Sequence, residues 1–417
     1  MSNTTNTLKK TAVSKKTSVK KVIYLDNHAT TPIDPRVLEA MLPFFQEDFG
    51  NPASTHYYGL RASFAVDQAR LKVARAIGAE EDEIFFTSGA TESNNTVLKG
   101  IFEHFRSRQP HFIVSAIEHK CILEAAKHIE KQGAQVTFLK VNPEGIVESE
   151  QLKKAIRANT VLVSLMFANN EIGSINPIHE LSKICRDKGI LFHTDAAQAV
   201  GKIPIDVKEL GIDLLSASGH KFYGPKGVGF LYVRKQVQNL LTPLLDGGGQ
   251  ENGIRSGTLN VTGIVGIGKA IELAIVNMEE DFWHYIKLRN QLYEKLLRCT
   301  SELLLNGPII DSATTLRKIG NLNKISSGLR RLPNNLNVTI PYIQASELQK
   351  QMTRIAFSSG SACSSADFEP SYVLTSIGRT KDQALVSLRF GIGRFNTEQD
   401  VRIAADSLAV AFQPIDS

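Results

Sequence analysis

Residues 190–221 read ILFHTDAAQAVGKIPIDVKELGIDLLSASGHK, and this stretch decides the fold. It predicts two short apolar strands, at residues 190–193 and 213–217, with Asp195 just past the first and Lys221 just past the second. The interval between them suits one strand–helix–strand unit with parallel strands. Parallel strands end at a common sheet edge, where α/β proteins bind ligands. We therefore expect Asp195 and Lys221 to share one pocket.

The same alternation of strand, turn and helix extends outward from this stretch. Further apolar strands are predicted at residues 83–86, 112–115, 135–139, 161–165 and 227–233. The sequence therefore predicts an α/β fold whose large domain has a mostly parallel seven-stranded sheet flanked by helices. The last two strands are close together in the chain, which allows an antiparallel strand there.

The pattern changes after residue 264, which indicates a second domain. One long helical stretch is predicted over residues 265–304, followed by a basic segment and a second α/β portion. We place the large domain at residues 22–279, with its first residues packing on the small domain. The smaller α/β C-terminal domain then covers residues 280–417.

Charge and hydropathy exclude several classes of protein. The net charge of +6 comes from the lysines among residues 1–21, which include no acid, and the remainder has 42 basic and 42 acidic residues. This basic tail is therefore predicted to be disordered, with docking to an acidic partner as the alternative. The remainder of the chain is neutral and is not expected to bind nucleic acid. No apolar run is long enough to span a membrane, and no apolar block indicates a signal peptide. The sequence predicts a soluble protein.

The four cysteines are widely spaced, at Cys121, Cys185, Cys299 and Cys363. No pair has zinc or redox spacing, so we expect no metal site and a reducing compartment, the cytoplasm. The first three lie in helical patterns and are interpreted as core-filling side chains. Cys363 lies in FSSGSACSSA, residues 357–366, a small polar loop that indicates an exposed and movable thiol.

Four features at the strand ends point to a phosphorylated aldehyde cofactor. A desolvated lysine can form a Schiff base, although a single lysine is more often a surface residue. A carboxylate such as Asp195 can keep a pyridine nitrogen protonated, although helix N-capping is a common alternative. The turn at residues 88–91 opens a helix that can bind phosphate. His119, after another strand, can stack on a ring or move protons, unless it is purely structural.

Together and in this order, these features resemble the cysteine desulfurases of the NifS/IscS type, in the class V aminotransferase superfamily. The resemblance runs from about residue 22 to residue 410 and implies the type I fold of enzymes that use pyridoxal 5′-phosphate (PLP). Its most specific segments are residues 24–32, 87–94, 169–173, 193–198, 216–224, 255–258 and 358–365.

The resemblance also implies roles for individual residues. The implied catalytic residues are Lys221, which binds PLP covalently, His119, and Cys363, which receives the sulfur. The implied PLP-binding residues are Ala90, Thr91, His119, Asn170, Asp195, Gln198, Ser218, His220, Lys221 and, from the other subunit of a homodimer, Thr258. The implied substrate-binding residues are Arg389, Asn170 and Asn27.

The implied reaction converts L-cysteine to L-alanine and leaves a persulfide on Cys363. Sulfur would pass to acceptor proteins, such as an iron–sulfur scaffold, for cluster assembly or tRNA thiolation, with transient contact between Cys363 and a cluster. A selenocysteine lyase or another class V transaminase is the alternative, and Cys363 discriminates between them. The neutral body argues against a scaffold or nucleic-acid-binding protein, and intact Lys221, Asp195 and Cys363 argue against a noncatalytic partner of another desulfurase.

Overall fold

A computed structural model describes residues 22–341, 343, 348, 352–360 and 369–411 of the chain. The predicted basic tail and Cys363 lie outside the described residues. The strands are β1 (Ile23–Tyr24), β2 (Ile84–Thr87), β3 (His111–Ser115), β4 (Gln135–Leu139), β5 (Thr160–Ser164), β6 (Leu191–Asp195), β7 (Leu214–Ser218), β8 (Gly229–Val233), β9 (Leu304–Leu305), β10 (Asn335–Thr339), β11 (Ile355–Ala356), β12 (Ser358–Ser359) and β13 (Ser387–Gly391).

Helices follow most of the longer strands. The helices are α1 (Pro35–Met41), α2 (Pro43–Gln46), α3 (Tyr57–Ile77), α4 (Ala90–Phe105), α5 (Lys120–Lys131), α6 (Ser149–Ala155), α7 (Ile178–Arg186), α8 (Val261–Val276), α9 (Met278–Cys299), α10 (Ala313–Ile319), α11 (Leu322–Gly328), α12 (Tyr372–Ser376), α13 (Lys381–Leu385) and α14 (Glu398–Ala411).

The central sheet has seven strands in the order β2-β8-β7-β6-β5-β3-β4. Strands β3 to β7 pair in parallel, whereas β8 runs antiparallel to both β2 and β7. Side chains alternate along β8: Phe230 and Tyr232 enter one apolar cluster, and Leu231 and Val233 enter another. Because successive strand residues point to opposite faces, the sheet is covered on both sides. The predicted α/β architecture is confirmed.

The predicted helix between β6 and β7 is wrong, because residues 196–213 form turns there. Gly201 has φ 75°, a left-handed conformation, and a Cβ at this position would come within 2.9 Å of the Phe222 side chain. Pro204 further on supplies no backbone N–H for a helix. The two strands remain parallel despite this, so their carboxyl ends lie at the same edge.

The long helix predicted over residues 265–304 is two helices. Helices α8 and α9 meet at 72° around Asn277, whose side-chain amide donates to the carbonyl of Leu273, 2.6 Å. Since an asparagine amide competes with the backbone for hydrogen bonds, this residue ends α8 instead of continuing it. In the described part of the chain no single helix meets the length and hydropathy of a membrane span, although the bent α8–α9 pair does so jointly.

The C-terminal portion forms a second, four-stranded antiparallel sheet in the order β12-β13-β10-β9. Helix α9 contacts both portions, since Phe282 and Ile286 join the large-sheet core and Leu288 and Leu292 join the small-sheet core. Strand β1 pairs with β11, so the first described residues pack with the C-terminal portion. The domain division at residue 279 stays a prediction.

Candidate active site

A cavity of about 830 Å³ lies at the carboxyl edge of the large sheet, and residues around β12 and β13 close one side of it. It brings together most of the residues implied by the resemblance. Those lining it are Ala90, Thr91, His119, Asn170, Asp195, Gln198, Ser218, His220, Lys221 and Arg389. Residues from both sheets therefore form one site.

Lys221 lies in a short 3₁₀ turn, Gly219–Lys221, directly after β7. Its Nζ donates to the carbonyl oxygens of His28 and Ala29, both at 2.7 Å. Burial, with a contribution from the Arg389 guanidinium, lowers the pKa of the Lys221 ammonium from 10.5 to about 8, against an opposing effect of Asp195. A substantial fraction of the amine is therefore neutral near physiological pH and can attack an aldehyde.

Asp195 is the last residue of β6 and is 6% exposed. Its Oδ2 accepts from Asn94 Nδ2 at 2.7 Å, and its Oδ1 accepts from the backbone N–H of Ala197 at 3.0 Å. These donors fix the carboxylate against the cavity, where it can also accept from a ring N–H. Asn94, one turn into α4, was not predicted in this role from the sequence.

His119 caps the N-terminus of α5 by accepting the backbone N–H of Cys121 at Nδ1, 3.3 Å. A neutral imidazole that accepts at Nδ1 carries its proton on Nε2. Burial lowers the pKa of His119, against the opposing charge of Asp195, so the neutral form is favoured.

Cys121 also lines the cavity, so its interpretation as a core-filling residue is incomplete. Its Sγ lies 3.0 Å from His119 Nδ1. Burial raises the pKa of this thiol to about 12, which keeps it protonated and a poor nucleophile. Its position two residues after His119, at the start of α5, was the sequence signal for its place in the site.

The end of the cavity near α4 is suited to a phosphate. The free N–H groups of the sixteen-residue α4 begin at Ala90, beside the hydroxyl-bearing Thr91 and Ser218. Lys226, which was not predicted, lines the same cavity. Burial, followed by the charge of Lys221, lowers the pKa of His220 to about 4, and the neutral ring lies 3.1 Å from Thr30 Oγ1. Phosphate donors, a reactive amine and a carboxylate therefore occur in one cavity, as PLP requires.

Arg389, on β13, reaches the cavity from the small sheet. Its Nη2 donates to Asp26 Oδ1 and Ser358 Oγ, each at 2.8 Å, and its Nη1 donates to the carbonyl of Asn170 at 3.2 Å. Its Nε is buried without a partner among the described residues. Because Arg389 lines the cavity, its positive charge can attract an anionic ligand there. Asp26 and Ser358 were not predicted to orient the guanidinium.

Two implied residues lie outside the cavity. Asn27 is buried and its side-chain amide donates to the carbonyl of Gly391 at 2.8 Å, so its assignment to substrate binding is not supported. Thr258 is exposed near Arg255, and any contact with a cofactor would require a second subunit.

The pKa of Lys221 predicts how fast the apoprotein takes up PLP. We expect the uptake rate to rise by about tenfold per pH unit at low pH, because only the neutral amine reacts, and to level off above pH 8. Stopped-flow absorbance after mixing the apoprotein with PLP at each pH measures the uptake rate. An ordinary lysine would give a rate that keeps rising to about pH 10, and that result would contradict the assignment.

Comparisons with known proteins agree with this geometry. The family model described as aminotransferase class-V matches residues 23–403. The chain is 48% identical over 385 residues to cysteine desulfurase IscS of Rickettsia felis, covering 92% of this chain and 89% of the relative. A solved structure of a NifS-like protein has a TM-score of 0.83 at 38% identity, covering 94% of this chain and all of that one.

A second solved structure, SspA in complex with cysteine, has a TM-score of 0.75 at 35% identity and covers 90% of this chain and 99% of its own. These matches span nearly the whole chain, both sheets included. The chain therefore belongs to the class-V aminotransferase family, among relatives of the IscS and NifS type.

Proposed function

We propose that this protein is a PLP-dependent cysteine desulfurase that transfers the sulfur of L-cysteine to Cys363 and then to an acceptor protein. The observation that carries this proposal is that one cavity holds a buried amine, a carboxylate and a guanidinium, on Lys221, Asp195 and Arg389. The IscS relative supports the same activity.

The residues that would hold PLP follow from the donor set. The N-terminus of α4, with Thr91, Ser218 and His220, would bind the phosphate, and Lys221 would bind the aldehyde carbon. Asp195 would accept from the ring nitrogen. Bound PLP supplies an electron-withdrawing ring that stabilises negative charge developing on the substrate.

Substrate binding is assigned to Arg389. Arg389 lines the cavity, and its guanidinium would pair with the substrate carboxylate through charge-assisted hydrogen bonds. Asp26 and Ser358 accept from Nη2 and so orient the guanidinium. Lys221, once displaced as a free amine, is placed to move the α-proton, and neutral His119 can donate from Nε2.

Sulfur transfer requires a thiolate near the cavity. Gly360 lines the cavity, and the three residues from Gly360 to Cys363 span at most about 11 Å. The Cys363 sulfur would attack the substrate sulfur, and the carbon–sulfur bond would break with its electron pair remaining on carbon. Protonation of that carbon yields alanine, and Cys363 keeps the extra sulfur as a persulfide.

A homodimer is supported by apolar side chains exposed on the first helices. Leu42, Phe45, Phe49, Leu60 and Phe64 are each 56–66% exposed, and they occur together around α2 and α3. Patches of this kind on a single chain commonly mark a subunit interface.

The destination of the sulfur is also part of the proposal. We assign delivery to an acceptor protein in the cytoplasm, such as an iron–sulfur scaffold or a tRNA-thiolating enzyme. A Cys363 persulfide is the form in which sulfur can pass to another thiol.

The test uses the purified holoenzyme and L-cysteine. We expect alanine to form and the peptide that contains Cys363 to gain one sulfur atom by mass spectrometry, with the gain removed by a reducing thiol. Alanine without sulfur on Cys363 would refute the carrier role, and the absence of alanine would refute the desulfurase activity.

A further inference from the structure

His28 is a buried imidazole between the two sheets, with 1% of its surface exposed. Its Nδ1 lies 2.9 Å from Gln198 Oε1, and its Nε2 lies 3.2 Å from Asn335 Nδ2. Gln198 lines the PLP cavity, whereas Asn335 belongs to β10 of the small sheet. The ring therefore links the small sheet to the cofactor side of the large one.

The fully buried guanidinium of Arg331 determines which partner donates and which accepts in each of these hydrogen bonds. Arg331 can only donate, and its Nη1 lies 2.8 Å from Asn335 Oδ1. The Asn335 carbonyl must therefore face Arg331, and its Nδ2 must face the other way. The two hydrogens of Nδ2 are directed at His28 Nε2 and at the carbonyl of Glu171, 3.0 Å.

The same argument continues through the imidazole. Because His28 Nε2 accepts, a neutral ring carries its proton on Nδ1 and donates it to Gln198 Oε1. Burial, together with the charges of Arg389 and Lys202, lowers the pKa of His28 well below 6.5, so the ring is neutral. A protonated ring would also direct a second N–H at the amide of Asn335.

Gln198 is oriented by both ends of residue 28. Its Oε1 accepts from the ring, and its Nε2 donates to the His28 carbonyl at 3.0 Å. A flipped amide would place two oxygens against each other, so the orientation is fixed. The second N–H of Nε2 remains free of these contacts on a residue that lines the cavity.

The His28 carbonyl also accepts from Lys221 Nζ at 2.7 Å. Residue 28 therefore touches the amine that binds the cofactor and the amide beside it. Hydrogen bonds in such a chain polarise one another, which strengthens the terminal N–H as a donor to an anionic oxygen.

We propose that His28 is a positioning residue: as the Nδ1–H tautomer, in a chain that starts at Arg331, it makes Gln198 present an N–H to the cofactor. The group that this N–H pairs with is an oxygen on the PLP ring, and this assignment alone rests on the proposed function. The tautomer and the direction of the chain are properties of the apoprotein.

The first test is therefore made on apoprotein with ¹⁵N-labelled histidine. NMR is expected to show a His28 ring with a protonated Nδ1 and an unprotonated Nε2, unchanged between about pH 5.5 and about pH 8.5. An Nε2–H tautomer, or a ring that titrates near its ordinary pKa, would overturn the proposal whether or not the enzyme is a desulfurase.

The second test separates the contributions of the two ring nitrogens of His28. In His28→Asn, the amide nitrogen occupies the place of Nδ1 and can still donate to Gln198, whereas His28→Gln replaces only the Nε2 position. We expect the PLP dissociation constant to stay within about threefold in the asparagine variant and to rise by about tenfold in the glutamine variant, with a shifted absorption maximum. Thermal unfolding of both apoproteins controls for folding, and equal effects of the two substitutions on PLP binding would contradict the positioning role.

Discussion

Replacing Cys363 with alanine is expected to abolish sulfide release from L-cysteine while the visible absorption of bound PLP remains. The residues proposed to bind PLP line a cavity made by other parts of the chain, so the variant should load the cofactor normally. Without a nucleophile, attack on the substrate sulfur is lost, and we expect activity to fall by about a thousandfold or more. Absorbance spectra and a sulfide assay, on the same preparation, measure both quantities.

Cys299→Ala is the matched control for that experiment. Cys299 is a partly buried thiol at the end of α9, where its Sγ donates to the carbonyl of Lys295, and it does not line the cavity. This variant should keep full desulfuration. If Cys363→Ala retained wild-type sulfide release, the thiol would not be the nucleophile, and a lyase without a cysteine acceptor would become the better description.

The large sheet was predictable because each of its strands is short, apolar and bounded by turns. Such a pattern depends only on neighbours in the chain. The two errors have different causes. The turns between β6 and β7 have a tertiary cause, because the Gly201 backbone packs against Phe222, which is 21 residues further along the chain. The break between α8 and α9 is local, because the Asn277 side chain hydrogen-bonds to the carbonyl of Leu273, and the apolar pattern on both sides of it obscured that signal.

The same distinction applies to the site. Lys221 and Asp195 were predicted because each follows a strand that the local sequence pattern reveals, and parallel strands end at one edge of a sheet. Asp26 and Ser358 meet Arg389 from segments more than 300 residues apart in the chain. Their role depends on how the small sheet sits against the large one, and no periodicity in the sequence expresses that arrangement.

Replacing Lys221 with alanine is expected to lower the turnover number by at least about a thousandfold, because in the proposed mechanism this one side chain would supply both the cofactor linkage and the proton transfer. PLP should still bind through its phosphate and ring contacts, but without a covalent bond. Borohydride treatment should therefore make PLP permanent in the wild-type protein and leave it removable by dialysis in the variant. Mass spectrometry of the Lys221 peptide after borohydride measures the linkage directly.

Lys202 provides the sharpest control for this prediction. It is a second buried lysine whose pKa is lowered even further than that of Lys221, to about 7, chiefly by burial. Its Nζ donates to the carbonyl of Gln198 at 2.9 Å, and it is not among the residues lining the cavity. If pKa alone selected the amine, PLP would label Lys202. If access to the cavity selects it, as the geometry requires, borohydride will fix PLP on Lys221 alone, and label recovered on Lys202 would refute the assignment.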